Sequence, residues 1–178
     1  MKQYLWRAIP VVMLVILAAL FWRGLSLDPQ KLPSTQLGHR LPEFRLPVLT
    51  GPKQIFTSES LRGEISILNV WASWCEACIE EQAFLLQLSK SGMPVFGLNY
   101  KDDRNNALQW LQEWGNPYRA IGEDSKGNAA IDLGVYVTPE TFLIDKQGVI
   151  RFRHVGILSK DVWQRDFAPR IKELQERS

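Results

Sequence analysis

Ile65-Ser66-Ile67-Leu68-Asn69-Val70-Trp71-Ala72-Ser73-Trp74-Cys75-Glu76-Ala77-Cys78 carries both the fold and the chemistry of this 178-residue chain. Its first seven residues are rich in β-branched and aromatic types, the look of a buried central strand. From Ile79 to Ser89 the spacing turns helical, with Ile79, Ala83 and Leu86 on one face and Phe84, Leu85 and Leu88 beside it. The two cysteines therefore fall just after a strand and at the first turn of a helix. There, unpaired N–H groups and the positive end of the helix dipole stabilise a thiolate. The thiolate is the attacking species in disulfide exchange, so Cys75 is the expected nucleophile. Cys78 follows one helical turn later and is placed to resolve the mixed disulfide.

Other uses of the pair lack what they need. The chain has only 2 cysteines, and a bridge between them closes too short a loop to add much stability. A zinc site wants four N or S ligands, and only His39 and His154 remain. Covalent haem attachment needs histidine directly after the second cysteine, where Ile79 stands. A copper carrier of similar fold usually has wider cysteine spacing and a histidine. A redox pair is the reading, with no metal and no cofactor expected.

The direction of electron flow depends on charge near Cys75. Glu76 lies between the cysteines and Glu80 and Glu81 follow on the same helix; negative charge there raises a thiol pKa and moves the pair toward reducing behaviour. Glu80 also reads as a solvated acid favoured by the helix dipole, and Glu76 fits either account.

Composition sets the frame. A chain with 46% hydrophobic and 22% charged residues supports one domain with a real core. Of its basic residues, Lys2, Arg7 and Arg23 lie before position 24 without an acid among them, so the net charge of +2 belongs to the amino terminus and the body is near neutral. No basic patch suggests nucleic acid.

Residues 1–23 are expected to be an uncleaved membrane anchor. Ala8 to Trp22 is an apolar run of about 22 Å as helix, short of a ~30 Å hydrocarbon core. Snorkelling by Arg7 and Arg23, with Tyr4, Leu5, Trp6 and Leu25, extends it to full length. Trp6 and Trp22 fall near the two interfaces, and Pro10 in the first turns. A cleaved signal peptide is the competing reading, weakened by the poor site at Gly24-Leu25-Ser26. With no cysteine before position 75, a lipoprotein anchor is excluded. Residues 24–40 read as linker and 41–178 as the folded domain.

Beyond the motif, Leu41 to Leu49 reads as a short edge strand or extended chain between Pro42 and Pro47. Met93 to Tyr100 is the next strand, and Asn105 to Trp114 a helix that stops at Gly115. A short strand at Arg119–Ile121 and a helix near Asn128–Leu133 follow. Thr141–Asp145 and Val149–Val155 flank Lys146-Gln147-Gly148 as a β-hairpin, and Ser159 caps a last helix reaching Gln175, kinked at Pro169. Strand–helix alternation closed by a hairpin predicts an α/β mixed sheet with helices on both faces.

The stretch Asn69 to Cys78, with Gly97-Leu98-Asn99-Tyr100-Lys101-Asp102 and Gly134-Val135-Tyr136-Val137-Thr138-Pro139-Glu140-Thr141-Phe142, resembles the DsbE/CcmG group of the thioredoxin superfamily, the thiol:disulfide interchange proteins of cytochrome c maturation. The similarity spans about residues 37–160. It implies a thioredoxin-like fold with extra N-terminal strands and a central βα insertion. It also implies a cis bond before Pro139 facing the cysteines, and a substrate groove of Trp74, Glu76, Ala77, Thr138 and Pro139. Val137-Thr138 replaces the usual Gly-Ala before the proline, which makes the groove bulkier. Trp74 is either a lid beside the sulfurs or plain packing.

Asn69 stands where thioredoxins carry a buried aspartate, and a neutral amide cannot relay the proton that Cys78 must lose. The resemblance assigns an acid near the pair, which makes Glu81, with Glu140, the expected pKa-tuning groups; a surface carboxylate is the plain alternative for Glu81. The resemblance further implies a monomeric, single-pass protein of a Gram-negative inner membrane, its catalytic domain in the periplasm. It would reduce the CxxCH disulfide of an apocytochrome c, beside the haem-ligation machinery, and be re-reduced by a DsbD-type membrane protein. A general periplasmic reductase, or a holdase for apocytochrome or haem with little redox role, are the alternatives.

Overall fold

The computed structural model of the chain describes residues 2–25, 36–51 and 54–176, and falls into two compact units, Met1–Pro33 and Ser34–Ser178. In the first, the apolar run lies in helix α1 (Lys2–Leu25), 24 residues long. Pro10 is inside this helix and not in its first turns, because the helix already starts at Lys2. The side chains of Val12, Met13, Leu14, Ile16, Leu17, Leu20, Phe21 and Trp22 are exposed. Among the described residues, no helix is long and apolar enough to cross a membrane. Most of the linker expected over 24–40 lies outside the described residues. Its last residues are no free linker: Gly38 donates to the Ile150 carbonyl, Ile150 to that of His39, and Arg40 bridges Val149.

The second unit is built on a five-stranded mixed sheet. In chain order its elements are β1 (Arg45–Pro47), β2 (Ile55–Thr57), β3 (Ser66–Trp71), α2 (Glu76–Lys90), β4 (Val95–Tyr100), α3 (Arg104–Trp114), β5 (Ile121–Asp124), α4 (Asn128–Asp132), β6 (Glu140–Ile144) and β7 (Ile150–Val155). The C-terminal α5 (Lys160–Val162) runs through a π-helical turn, Trp163–Phe167, into α6 (Ala168–Glu176). The strand order is β5-β4-β3-β6-β7. β3, β4 and β5 are parallel, whereas β6 pairs antiparallel with β3 and β7. β3 is buried along its whole length, as a central strand covered on both faces must be.

Side chains alternate across β3. Ile67 and Trp71 enter a core with Leu85 and Leu88 of α2, Trp110 and Leu111 of α3, and Phe167 and Ile171 near the carboxyl end. Leu68 and Val70 enter a second core with Phe96, Phe142, Ala130, Leu133 and Phe56. That second face is covered by α4 and by the separate β1–β2 hairpin, registered Leu46 against Phe56. The extra N-terminal strands are thus present, and β2 is the one whose position the sequence pattern does not mark.

Three local readings shift. α2 buries Cys78, Glu81, Gln82, Leu85 and Leu88, whereas Ala83 is exposed, so its inward face is one position away from the apolar stripe. Two of those buried positions are polar, which is why apolar periodicity pointed elsewhere. β5 starts two residues later than expected; its run Ile-Gly-Glu-Asp is a poor strand former held by pairing to β4. At Pro169 the helix adapts through the π-helical turn before it, which accommodates the missing N–H.

Candidate active site

Cys75 is the N-cap of α2 and Cys78 sits in its first turn. The two are joined in a disulfide, with Cα atoms 5.4 Å apart, and the Cys78 N–H donates to Cys75 Sγ at 3.2 Å. That N–H, in the first turn of the helix, is shared with the Cys75 carbonyl at 3.2 Å, and it would stabilise a thiolate at Cys75 in the reduced protein. Both sulfur-bearing residues are nearly shielded, Cys75 at 5% exposure and Cys78 at 1%. Glu76 and Glu80 are exposed on α2, and Ala77 is half-buried against the core.

The approach to Cys75 is clamped by the loop after β4. The Asp102 carboxylate accepts from the Ser73 N–H (2.6 Å), Ser73 Oγ (2.6 Å), Asn99 Nδ2 (2.8 Å) and its neighbour's N–H. Lys101 turns the chain with a positive φ of 45°, and its carbonyl accepts the Trp74 indole N–H at 3.0 Å. The Trp74 ring is 56% exposed, which excludes plain core packing. Ser73, Lys101 and Asp102 carry no expected role in the sequence, although all three stand in its motifs; the contacts join residues 27 to 29 positions apart.

Across the sheet, the Thr138–Pro139 bond is cis, as the resemblance implies. Pro139 is buried, Thr138 is half-buried, and Tyr136 and Val137 are exposed.

Beneath Cys78 lies a closed polar cluster. Glu81 is 1% exposed, not a surface carboxylate. Its Oε1 accepts from Asn69 Nδ2 at 2.7 Å and its Oε2 from the Leu158 N–H at 2.7 Å. Asn69 also donates to Thr141 Oγ1 at 3.1 Å and accepts from the Tyr118 hydroxyl at 2.8 Å. Burial pushes the Glu81 carboxyl up to about 7, outweighing the two donated hydrogen bonds that favour its charged form. Burial, then the nearby Glu81 charge, holds the Tyr118 hydroxyl well above its ordinary value. Tyr118 and Thr141 were missed: their partners lie 49 and 72 residues away in sequence.

Glu140 does not join this cluster. It alternates with Thr141 along β6, so it faces the other side of the sheet. There it forms an ion pair with Arg153 at 2.6 Å and accepts from the Tyr136 and Val137 N–H groups at 3.1 and 3.3 Å. Burial raises its carboxyl, and Arg153 and the two N–H groups pull it back. Its contacts position the segment before Pro139.

Residues 36–167 match the Redoxin family. The chain is 45% identical to "Thiol:disulfide interchange protein DsbE" of Escherichia coli (strain K12) over 164 residues, covering 89% of each. It is 42% identical to the protein of the same name from Pseudomonas fluorescens biotype C, covering 98% of this chain and 97% of that one. A crystal structure described as a DsbE from Chlorobium tepidum superposes with a TM-score of 0.57 at 27% identity, covering 70% of this chain and 89% of that one. With a thioredoxin-like sheet, a cysteine pair capping the helix after its central strand, and relatives of this likeness, the chain belongs to the DsbE thiol:disulfide interchange proteins of the Redoxin family and is a thiol–disulfide oxidoreductase.

Proposed function

We propose that the chain is a reductant of apocytochrome c disulfides in the periplasm, held at the inner membrane by residues 1–23 and re-reduced by a DsbD-type membrane protein. The observation that carries the reductive direction is Glu81, a carboxylate buried under Cys78 with no cation among its hydrogen-bond partners. Its negative charge favours protonated thiols, which disfavours the reduced thiolate that makes a strong oxidant. What supports the anchor is the unbroken apolar run Ala8 to Trp22 between Arg7 and Arg23 in the sequence.

In exchange, the Cys75 thiolate attacks one sulfur of the substrate disulfide, and the departing substrate sulfur takes a proton. Cys78 then gives its proton to the Glu81 carboxylate and attacks Cys75 Sγ, releasing the second substrate sulfur as a thiolate that takes its proton from solvent. The substrate gains two electrons and the Cys75–Cys78 disulfide forms. Trp74, Glu76, Ala77, Thr138 and Pro139 border the site where the substrate strand lies, with Thr138 offering its backbone. Trapping tests this reading. A Cys78→Ala variant should hold an oxidised CxxCH peptide as a mixed disulfide through Cys75. Capture of unrelated disulfide peptides in equal yield would contradict the apocytochrome assignment.

A further inference from the structure

An asparagine amide has a donating edge and an accepting edge, and its orientation decides what Glu81 sees. Two of Asn69's partners do not choose between them: Thr141 Oγ1 can donate or accept, and a carboxyl group does either according to its protonation. Tyr118 does choose. Among the described residues its buried hydroxyl has one hydrogen-bond partner, Asn69 Oδ1, and a flipped amide would leave the phenolic proton without an acceptor. Tyr118 is fixed in place: its ring stacks on Trp71 at 5.6 Å and 15°, and its backbone N–H donates to Asn116 Oδ1. Gly97 makes room for it, since a Cβ there would stand 3.1 Å from the Tyr118 ring and 2.9 Å from Trp71 Nε1.

We propose that Tyr118 is a positioning residue that locks the Asn69 amide with its N–H edge on Glu81, so that Glu81 is held as a hydrogen-bond acceptor beneath Cys78. The cluster thereby replaces a second buried acid with a neutral amide of fixed polarity. The consequence for thiol chemistry rests on the proposed role of Glu81 toward the cysteines. The titratable groups nearest the cluster are Cys78, buried three residues before Glu81 on its own helix, Tyr118 from the segment after α3, and His154 on β7, paired with Thr141 in the strand register, with Asp166 and Arg165 beside its ring. Burial lowers the His154 pKa, and its ring bonds the Ile157 carbonyl instead of joining the partners of Glu81.

The test follows the Glu81 carboxyl by carbon NMR across pH in the full oxidised chain in detergent, and thiolate absorbance in the reduced one. Tyr118→Phe removes the lock, letting Oδ1 turn toward Glu81, where only a protonated carboxyl can meet it. The Glu81 midpoint should rise by about one pH unit or more. In an Asn69→Ala background the same substitution should produce no further shift, because Tyr118 acts only through the amide. No rise with Tyr118→Phe, or an equal rise in both backgrounds, overturns the proposal. Tyr118→Phe alone decides if the double variant does not fold. A Glu81 midpoint that moves while the thiol titration stays fixed supports the lock and overturns the role of Glu81 in tuning the cysteines.

Discussion

Glu81 and Glu140 are both sealed from water, at 1% and 0% exposure, on opposite faces of one sheet. Their partners differ. Glu140 holds a guanidinium and two N–H groups; Glu81 holds an amide and one N–H, all neutral. An ion-paired carboxylate keeps its charge and orders the chain around it. One given only neutral donors is left close to its titration point. The same residue type thus serves as a clamp behind Pro139 and, in the role proposed for Glu81, as a proton-accepting group near Cys78.

Removing the cation breaks the contrast most severely. Arg153→Met leaves Glu140 buried and unpaired, which should cost about 3–5 kcal/mol of stability in urea unfolding. The loss should grow as pH rises, because the ion pair it removes needs Glu140 in its charged form. It should also loosen the Tyr136–Val137 segment, because Arg153 holds the Gly134 carbonyl and lies over the Tyr136 ring.

The second effect belongs to Glu81. Its folded pKa is raised from 4.5 to about 7, so the folded state binds the extra proton. Stability from this group is present in full below pH 4.5 and is lost as pH rises to about 7. The loss is on the order of 3 kcal/mol, because each pH unit between the unfolded and folded titration points is worth about 1.4 kcal/mol. Unfolding of the oxidised protein across that window should show the decline, and Glu81→Gln should flatten it. A decline that survives in Glu81→Gln would assign it to another group.

The smallest effect comes from the half-buried Asp102, whose four hydrogen bonds have partly solvated alternatives. Asp102→Asn keeps one acceptor oxygen, and should cost about 1 kcal/mol while slowing exchange by freeing the Ser73–Trp74 approach to Cys75. Unchanged exchange kinetics would remove Asp102 from the positioning of that loop.

The cysteine motif, the central strand, the β6–β7 hairpin and the stop of α3 at Gly115 were legible because each is written in adjacent residues. Gly115 adopts a φ of 89° at the helix C-cap, a conformation glycine takes without steric cost. The inward face of α2 was not legible, since Glu81 and Gln82 occupy core positions on polar side chains. Nor was the separation of Glu81 from Glu140: it depends on the parity of β6, which sends Thr141 toward Asn69 and Glu140 away from it. Tyr118 carries no periodic signal, because it reaches Asn69 from the Asn116–Pro117 turn and is admitted by the absent side chain of Gly97.

Of the two buried acids, Glu81 and not Glu140 is proposed to set the protonation of the cysteines. The most direct measurement is the thiolate titration of the reduced protein in wild type, Glu81→Gln and Glu140→Gln. The cysteine titration should be displaced to lower pH in Glu81→Gln and unmoved in Glu140→Gln. A Glu81→Gln curve that overlays the wild type would contradict this assignment.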